Sequence, residues 1–117
     1  MSLRVEMEVL GATLIVRPHG ELDHHTSEML RTKMEEAIRR GQVRHLVLSM
    51  RNVTFMDSSG LGVIIGRYRQ IASLGGRMAI CGASPHVRRL LEMSGLYKIL
   101  AIEENESRAL ASLGGVS

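Results

Sequence analysis

The spacing of apolar residues changes period along this chain, from two to about 3.6 and back, and that alternation restricts the fold more than any other feature. Leu3, Val5, Met7 and Val9 alternate with Arg4, Glu6 and Glu8, the pattern of a half-buried strand. Gly11 offers a turn, and Thr13 to Val16 reads as a second strand, antiparallel to the first. Pro18 has no N–H to give a ladder, so this strand is expected to end there or lie at an edge. From about Thr26 the period becomes helical: Leu30, Met34, Ala37 and Ile38 form one stripe, and Gly41 marks the stop. His45 to Met50 is a short apolar run suited to a buried strand.

A second helical stripe follows, with Leu61, Ile64, Ile65, Tyr68, Ile71 and Ala72 expected to face inward and Gly75-Gly76 ending it. Arg77 to Cys81 reads as a strand, and Ser84-Pro85 as a cap with proline at the first helical position. Val87, Leu90 and Leu91 mark the inner face of that helix, which Gly95 closes. Tyr97 to Ile102 is read as a last strand and Asn105 to Leu113 as a weaker final helix, with residues 113–117 expected to fray. The order β-β-α-β-α-β-α-β-α implies parallel strands joined by right-handed crossovers, made mixed by the initial hairpin. The fold class is therefore α/β: one domain over residues 1–117, about four helices, and a sheet with one face thinly covered at an edge.

Composition narrows the function. At 117 residues, with 44% hydrophobic and 23% charged residues, the chain can bury a core without metal or disulfide staples and is not a disordered segment. With two Tyr, one Phe and no Trp the core must be aliphatic, and eight Met help to fill it. No apolar run approaches the roughly 20 residues that span a bilayer, and the first residues lack the apolar block of a signal peptide. A single cysteine, Cys81, excludes an internal disulfide and fits a reducing cytosol; its default is a small buried hydrophobe. A small cytoplasmic domain is expected. The formal charge of +3 comes from dispersed basic residues, and aromatic stacking platforms are nearly absent. That argues against nucleic acid as a partner and leaves room for an acidic protein.

The informative segment is Asp57-Ser58-Ser59-Gly60-Leu61-Gly62, between a strand and the helix it feeds. Asp57 or Ser58 as an N-cap accounts for one oxygen. It does not account for Gly60 and Gly62 in the first turns, each costing about 1 kcal/mol relative to Ala. Either close packing or close approach of another molecule favours bare backbone there. Gly66, one turn beyond Gly62, extends the small residues, and that pair is expected to serve packing. A nucleophile elbow is excluded because Met56, not glycine, stands two residues before Ser58. A Walker loop is excluded because no lysine occurs in this segment, and a dinucleotide turn lacks its acidic residue near the end of the following strand, where Cys81-Gly82-Ala83 stands.

Gly20-Glu21-Leu22-Asp23-His24-His25-Thr26 is the second notable segment. Adjacent histidines point apart, and without Cys-x-x-Cys or His-Glu-x-x-His no metal site is expected. Asp23 or Thr26 caps the next helix, with Thr26 the favoured choice.

Gly20-Glu21-Leu22-Asp23 and Phe55-Met56-Asp57-Ser58-Ser59-Gly60-Leu61-Gly62, in this order, resemble the anti-sigma-factor antagonists of the STAS domain family. His24-His25-Thr26, Arg44-His45, Gly66-Arg67-Tyr68 and Met93-Ser94-Gly95-Leu96 resemble the sporulation members that control the forespore sigma factor. The resemblance implies a STAS-like fold and a binding protein that is a substrate and not a catalyst, with no cofactor. Its implied partners are an anti-sigma factor that is a nucleotide-bound serine kinase, and a metal-dependent serine phosphatase. The unphosphorylated form would bind the kinase and release the sigma factor, favouring sporulation transcription. Phosphorylation of the serine after the motif aspartate, here Ser58, would end binding. On sequence alone Ser59 competes as acceptor. The implied partner face comprises Asp23, Asp57, Ser58, Ser59, Gly60 and Gly62. A STAS-type scaffold or sensor binding another kinase or a small ligand is the alternative. A hydrolase using Ser58 or Ser59 lacks a neighbouring base in sequence.

Overall fold

A computed structural model describes residues 2–114. The chain opens with a hairpin of β1 (Leu3–Leu10) and β2 (Thr13–Leu22), joined by a tight turn in which Gly11 takes a φ of 61°. Then come α1 (His24–Arg40), β3 (His45–Ser49), β4 (Val53–Met56), α2 (Ser58–Ser73), β5 (Met78–Cys81), α3 (Pro85–Ser94), β6 (Ala101–Glu103) and α4 (Glu106–Ser112). The sheet runs β1-β2-β3-β5-β6, with β4 paired to the far half of β2. Every pairing is parallel except that of β1 with β2.

Alternation along the strands sorts the core into two layers. Val16, Leu46, Leu48 and Ile80 meet Leu30 and Met34 of α1, Ile64 of α2 and Leu91 of α3. The opposite face carries Ile15, Val47, Ala79 and Cys81 beneath Ala109 and Leu113 at α4. Four of the methionines, Met34, Met50, Met56 and Met78, are buried. On the α4 side β1 is the thinly covered edge expected from the sequence, with Arg4, Glu6 and Glu8 exposed. Glu6 and Glu8 stand there, both bonded to the Arg17 guanidinium, which also holds Glu106 at the start of α4 (2.6 and 3.0 Å). That guanidinium ties α4 to the hairpin and keeps the Glu106 carboxyl below its usual range. Among the described residues no helix is long and apolar enough to cross a membrane.

Several expectations need correction. β2 does not stop at Pro18, which lies instead at a local edge, the other outcome expected there. The parallel partner β3 ends opposite Val16 and β4 begins opposite Gly20, so the proline occupies the stretch where β2 has no parallel ladder to serve. β4 was not expected as a separate strand: it has four residues, and only its ends, Val53 and Met56, are buried, which leaves no alternation to read. The final strand is shorter than 97–102. Leu96 and Leu100 are buried with Tyr97 and Ile99 exposed, a helical spacing, and Leu96–Lys98 form a 3-10 turn before β6. The buried stripe of α2 is Gly60, Val63, Ile64, Arg67 and Ile71, with Leu61, Ile65 and Tyr68 only half-buried and Ala72 exposed. It is turned toward α1, where Arg67 reaches Glu35. In α3, Leu90 is half-buried. Leu113, expected to fray, is 2% exposed and packs in the α4 layer; residues 115–117 lie outside the described residues.

His45 is buried, and its Nδ1 accepts the Arg77 backbone N–H at 3.1 Å. Burial, with the charges of Arg44 and Arg77, pulls its pKa below the ordinary histidine value. The native state therefore keeps the ring neutral while the unfolded chain takes up a proton below about pH 6.5, so this contribution to stability is present above that pH and lost as pH falls. Urea unfolding at pH 7.5 and 5.5 is expected to show a larger loss for the native chain than for His45→Asn, whatever the variant's starting stability. Equal losses would remove His45 from the pH response.

The glycines of α2 give a second test. A Cβ on Gly60 would collide with the buried Met56 side chain (2.8 Å to Sδ), whereas one on Gly62 would meet nothing within 4 Å. Gly60→Ala should destabilise by about 1–2 kcal/mol, overpacking outweighing the helix gain. Gly62→Ala should stabilise by about 0.5–1 kcal/mol. Chemical unfolding checks both, and equal signs would contradict the packing described.

Candidate functional site

The pairing of β2 with β4 builds the site. Leu22 lies opposite Met56, and the Asp57 N–H donates to the Leu22 carbonyl at 3.2 Å. Each strand is followed at once by a capping aspartate and a helix, Asp23 before α1 and Asp57 before α2. The N-termini of α1 and α2 therefore lie side by side at one end of the sheet, as the parallel crossovers predicted.

Asp23 is the cap of α1, so the cap is not Thr26. Asp23 Oδ1 accepts the backbone N–H of His25 and of Thr26, both at 3.0 Å. Thr26 is buried one turn in; its hydroxyl accepts the Asp23 N–H (2.9 Å) and donates to the Glu21 carbonyl. This reciprocal box moves the helix start two residues earlier than the apolar stripe indicated. The Thr26 N–H leads the bonds that hold the Asp23 carboxyl below its usual range. His24 and His25 are exposed in the first turn. Among the described residues no cluster of three or more His, Cys, Asp or Glu could hold a metal ion.

At α2 the cap is Asp57, whose Oδ1 accepts the Ser59 N–H at 2.9 Å. Ser58 is the first helical residue; it is exposed, and its hydroxyl has no hydrogen-bond partner among the described residues. Ser59 and Asp57 are half-buried. Gly60 is buried against Met56 and Leu22, so packing explains its missing side chain. Gly62 and Gly66 are different. A Cβ at either would touch nothing, and the expectation that this pair packs is overturned. Their bare backbone faces open space because the buried stripe runs through Gly60 and Arg67 instead.

The N-terminus of α3 completes the rim, which the sequence did not reveal. His86 is exposed; its Nε2 lies 3.2 Å from the Met56 carbonyl and its ring stacks on Phe55 with centroids 5.8 Å apart. Phe55 is itself 40% exposed, beside the strand end that leads to Ser58. No motif spacing links residue 86 to residue 55. Cys81 is buried and burial pushes its thiol up, which suits packing and not reactivity. A depression of about 780 Å³ near it is lined by Ser49, Arg51, Arg88 and Glu103 among others, and by none of Asp23, Asp57, Ser58, Ser59, Gly60 or Gly62. With Ser58 exposed and Asp23, Asp57 and Ser59 half-buried, the two capped helix ends present a surface. Chemically, such a surface can seat a partner, and the α2 N-terminus favours an anion at Ser58.

The STAS domain family model matches residues 4–109. The anti-sigma F factor antagonist of Paenibacillus polymyxa is 58% identical over 117 residues, covering all of both chains. The structure of the anti-sigma factor antagonist SpoIIAA in its unphosphorylated form superposes with a TM-score of 0.83 at 33% identity, covering 97% of this chain and 99% of that one. The phosphorylated form of the Bacillus cell fate determinant SpoIIAA gives 0.74 at 33% identity, covering 95% and 98%. With two capped helix ends built on the β2–β4 pair and likeness along its whole length, the chain belongs to the STAS domain family, among its anti-sigma factor antagonists.

Proposed function

We propose that this antagonist is switched by phosphorylation of Ser58. Unphosphorylated, it binds an anti-sigma factor that is also a serine kinase and so frees the sigma factor for sporulation transcription. The kinase transfers phosphate to the Ser58 Oγ, binding ends, and a serine phosphatase restores the free hydroxyl. The chain is thus a substrate of both enzymes, acting in the cytoplasm. The observation that carries this reading is the division of labour at the start of α2: Asp57 takes the capping role, which leaves the exposed Ser58 hydroxyl free to react. Ser59 is half-buried and less open to a kinase. The partner face comprises Asp23, Asp57, Ser58, Ser59 and Gly62, with Gly60 acting through packing.

A phosphoserine adds about −1.5 to −2 charge at the first helical position, where the helix dipole tolerates it. The fold keeps its stability while the contact surface changes sign. A loss of only about 2.7 kcal/mol weakens association a hundredfold, so the switch requires no large rearrangement.

Calorimetric titration against the anti-sigma F factor of Paenibacillus polymyxa with bound nucleotide tests this. Ser58→Ala removes no cap, so its stability should stay within about 0.5 kcal/mol of the native chain. It should bind like the unphosphorylated protein and accept no phosphate. Ser58→Asp adds one charge and should bind more weakly, though less so than phosphoserine. Asp23→Asn keeps a capping oxygen, and should weaken binding without lowering the melting temperature. If Ser58→Ala takes up labelled phosphate at the native rate, the acceptor is elsewhere and Ser59 is next. If Ser58→Asp binds as tightly as Ser58→Ala, charge at this position is not the switch.

A further inference from the structure

The Gly66-Arg67 pair lies two turns along α2 from Ser58, about 12 Å at 1.5 Å per residue. Arg67 is 6% exposed, unusual for a residue type that rarely leaves the surface. Its Nη2 donates to Glu35 Oε2 on α1 at 3.1 Å, and its Nε to Gln70 Oε1 at 3.1 Å. Its Nη1 is buried with no partner among the described residues. A buried donor left unmade costs more than a typical hydrogen bond gains.

Arg67 lines an open groove of about 500 Å³ between α1 and α2, together with Glu35, Arg39, Gly66, Arg69 and Gln70. Three arginines there face one carboxylate. Arg39 has only a distant companion in Glu36 at 3.9 Å, and Arg69 has no ion pair among the described residues. The approach from Ser58 is bare. Ser58, Gly62 and Gly66 recur every four residues on one side of α2, and neither glycine serves internal packing. The chain forgoes about 1 kcal/mol of helix stability at each.

We propose that this groove is the second half of the docking surface and receives an acidic side chain of the anti-sigma factor, which pairs with the exposed Arg39 and Arg69 at its mouth, above the buried Arg67 guanidinium. The inference rests on the reading of Ser58 given above and extends it. The partner's backbone passes close over Gly62 and Gly66, and its carboxylate fixes register along α2.

Arg67 itself is a poor probe, because its loss also unpins Glu35 and loosens α1 from α2. Arg69→Glu and Gly66→Asp are better: Arg69 is exposed, and a Cβ at Gly66 has open space. Arg108→Glu, exposed on α4 across the sheet, carries the same change of charge as Arg69→Glu and serves as control. Titration against the Paenibacillus polymyxa anti-sigma F factor with bound ADP, in 50 and 300 mM salt, reads the result. Arg69→Glu and Gly66→Asp should weaken binding about tenfold or more, and Arg69→Glu should flatten the salt dependence. Arg108→Glu should stay within about twofold. Native affinity in both groove variants, or equal weakening by Arg108→Glu, overturns the proposal. If the unmutated protein does not bind this factor while the groove variants match it in fold, the reading of function falls and the groove proposal falls with it.

Discussion

One strand pairing sets the geometry on which the site depends. β2 is long enough to take two parallel partners in succession, β3 along its first half and β4 along its last, and Pro18 lies in the gap between them. The second pairing ends with Leu22 beside Met56 and the Asp57 N–H on the Leu22 carbonyl. Parallel strands ending in register leave their following helices starting in register. Gly60 then lets the first turn of α2 settle onto Met56 and Leu22. Without that approach Ser58 would stand away from the sheet end, and the two capped helices would not share a surface.

This arrangement separates what holds the fold from what meets a partner. Aspartate oxygens satisfy the helix N–H groups that would otherwise be orphaned. The serine beside one of them is left with no structural duty. A charge can be added to it or removed while caps, core and sheet stay as they are. The helix end would also soften the electrostatic cost of the phosphate proposed at Ser58 to the protein itself, so the change would be felt mainly by whatever lies against it. The glycine stripe beyond Ser58 extends the same logic, being exposed backbone that no internal contact requires.

The period changes made the hairpin, α1, α2 and α3 legible, because each runs long enough to repeat its pattern. β4 was not legible: four residues with buried ends carry no alternation. The motif around Ser58 could be read, and so could the neighbourhood of Asp23, since parallel crossovers bring such loops together. The choice between Asp23 and Thr26 as cap could not, because both are good capping residues and the apolar stripe starts later than the helix. Gly60 and Gly62 look alike in sequence, and only Met56 distinguishes them in space. Arg67 was hidden for the opposite reason: arginine at a helical position reads as surface, and its burial depends on Glu35, thirty-two residues away.

The central claim is that modification at Ser58 changes a surface and leaves the fold intact. Amide hydrogen exchange, followed by mass spectrometry on the unphosphorylated and phosphorylated protein, tests it directly. Differences should be confined to peptides covering the β4–α2 junction and the adjoining β2–α1 turn, with β3, β5 and the body of α1 protected equally in both forms. Loss of protection in those central strands would mean that the phosphate acts by loosening the domain, and would contradict the account.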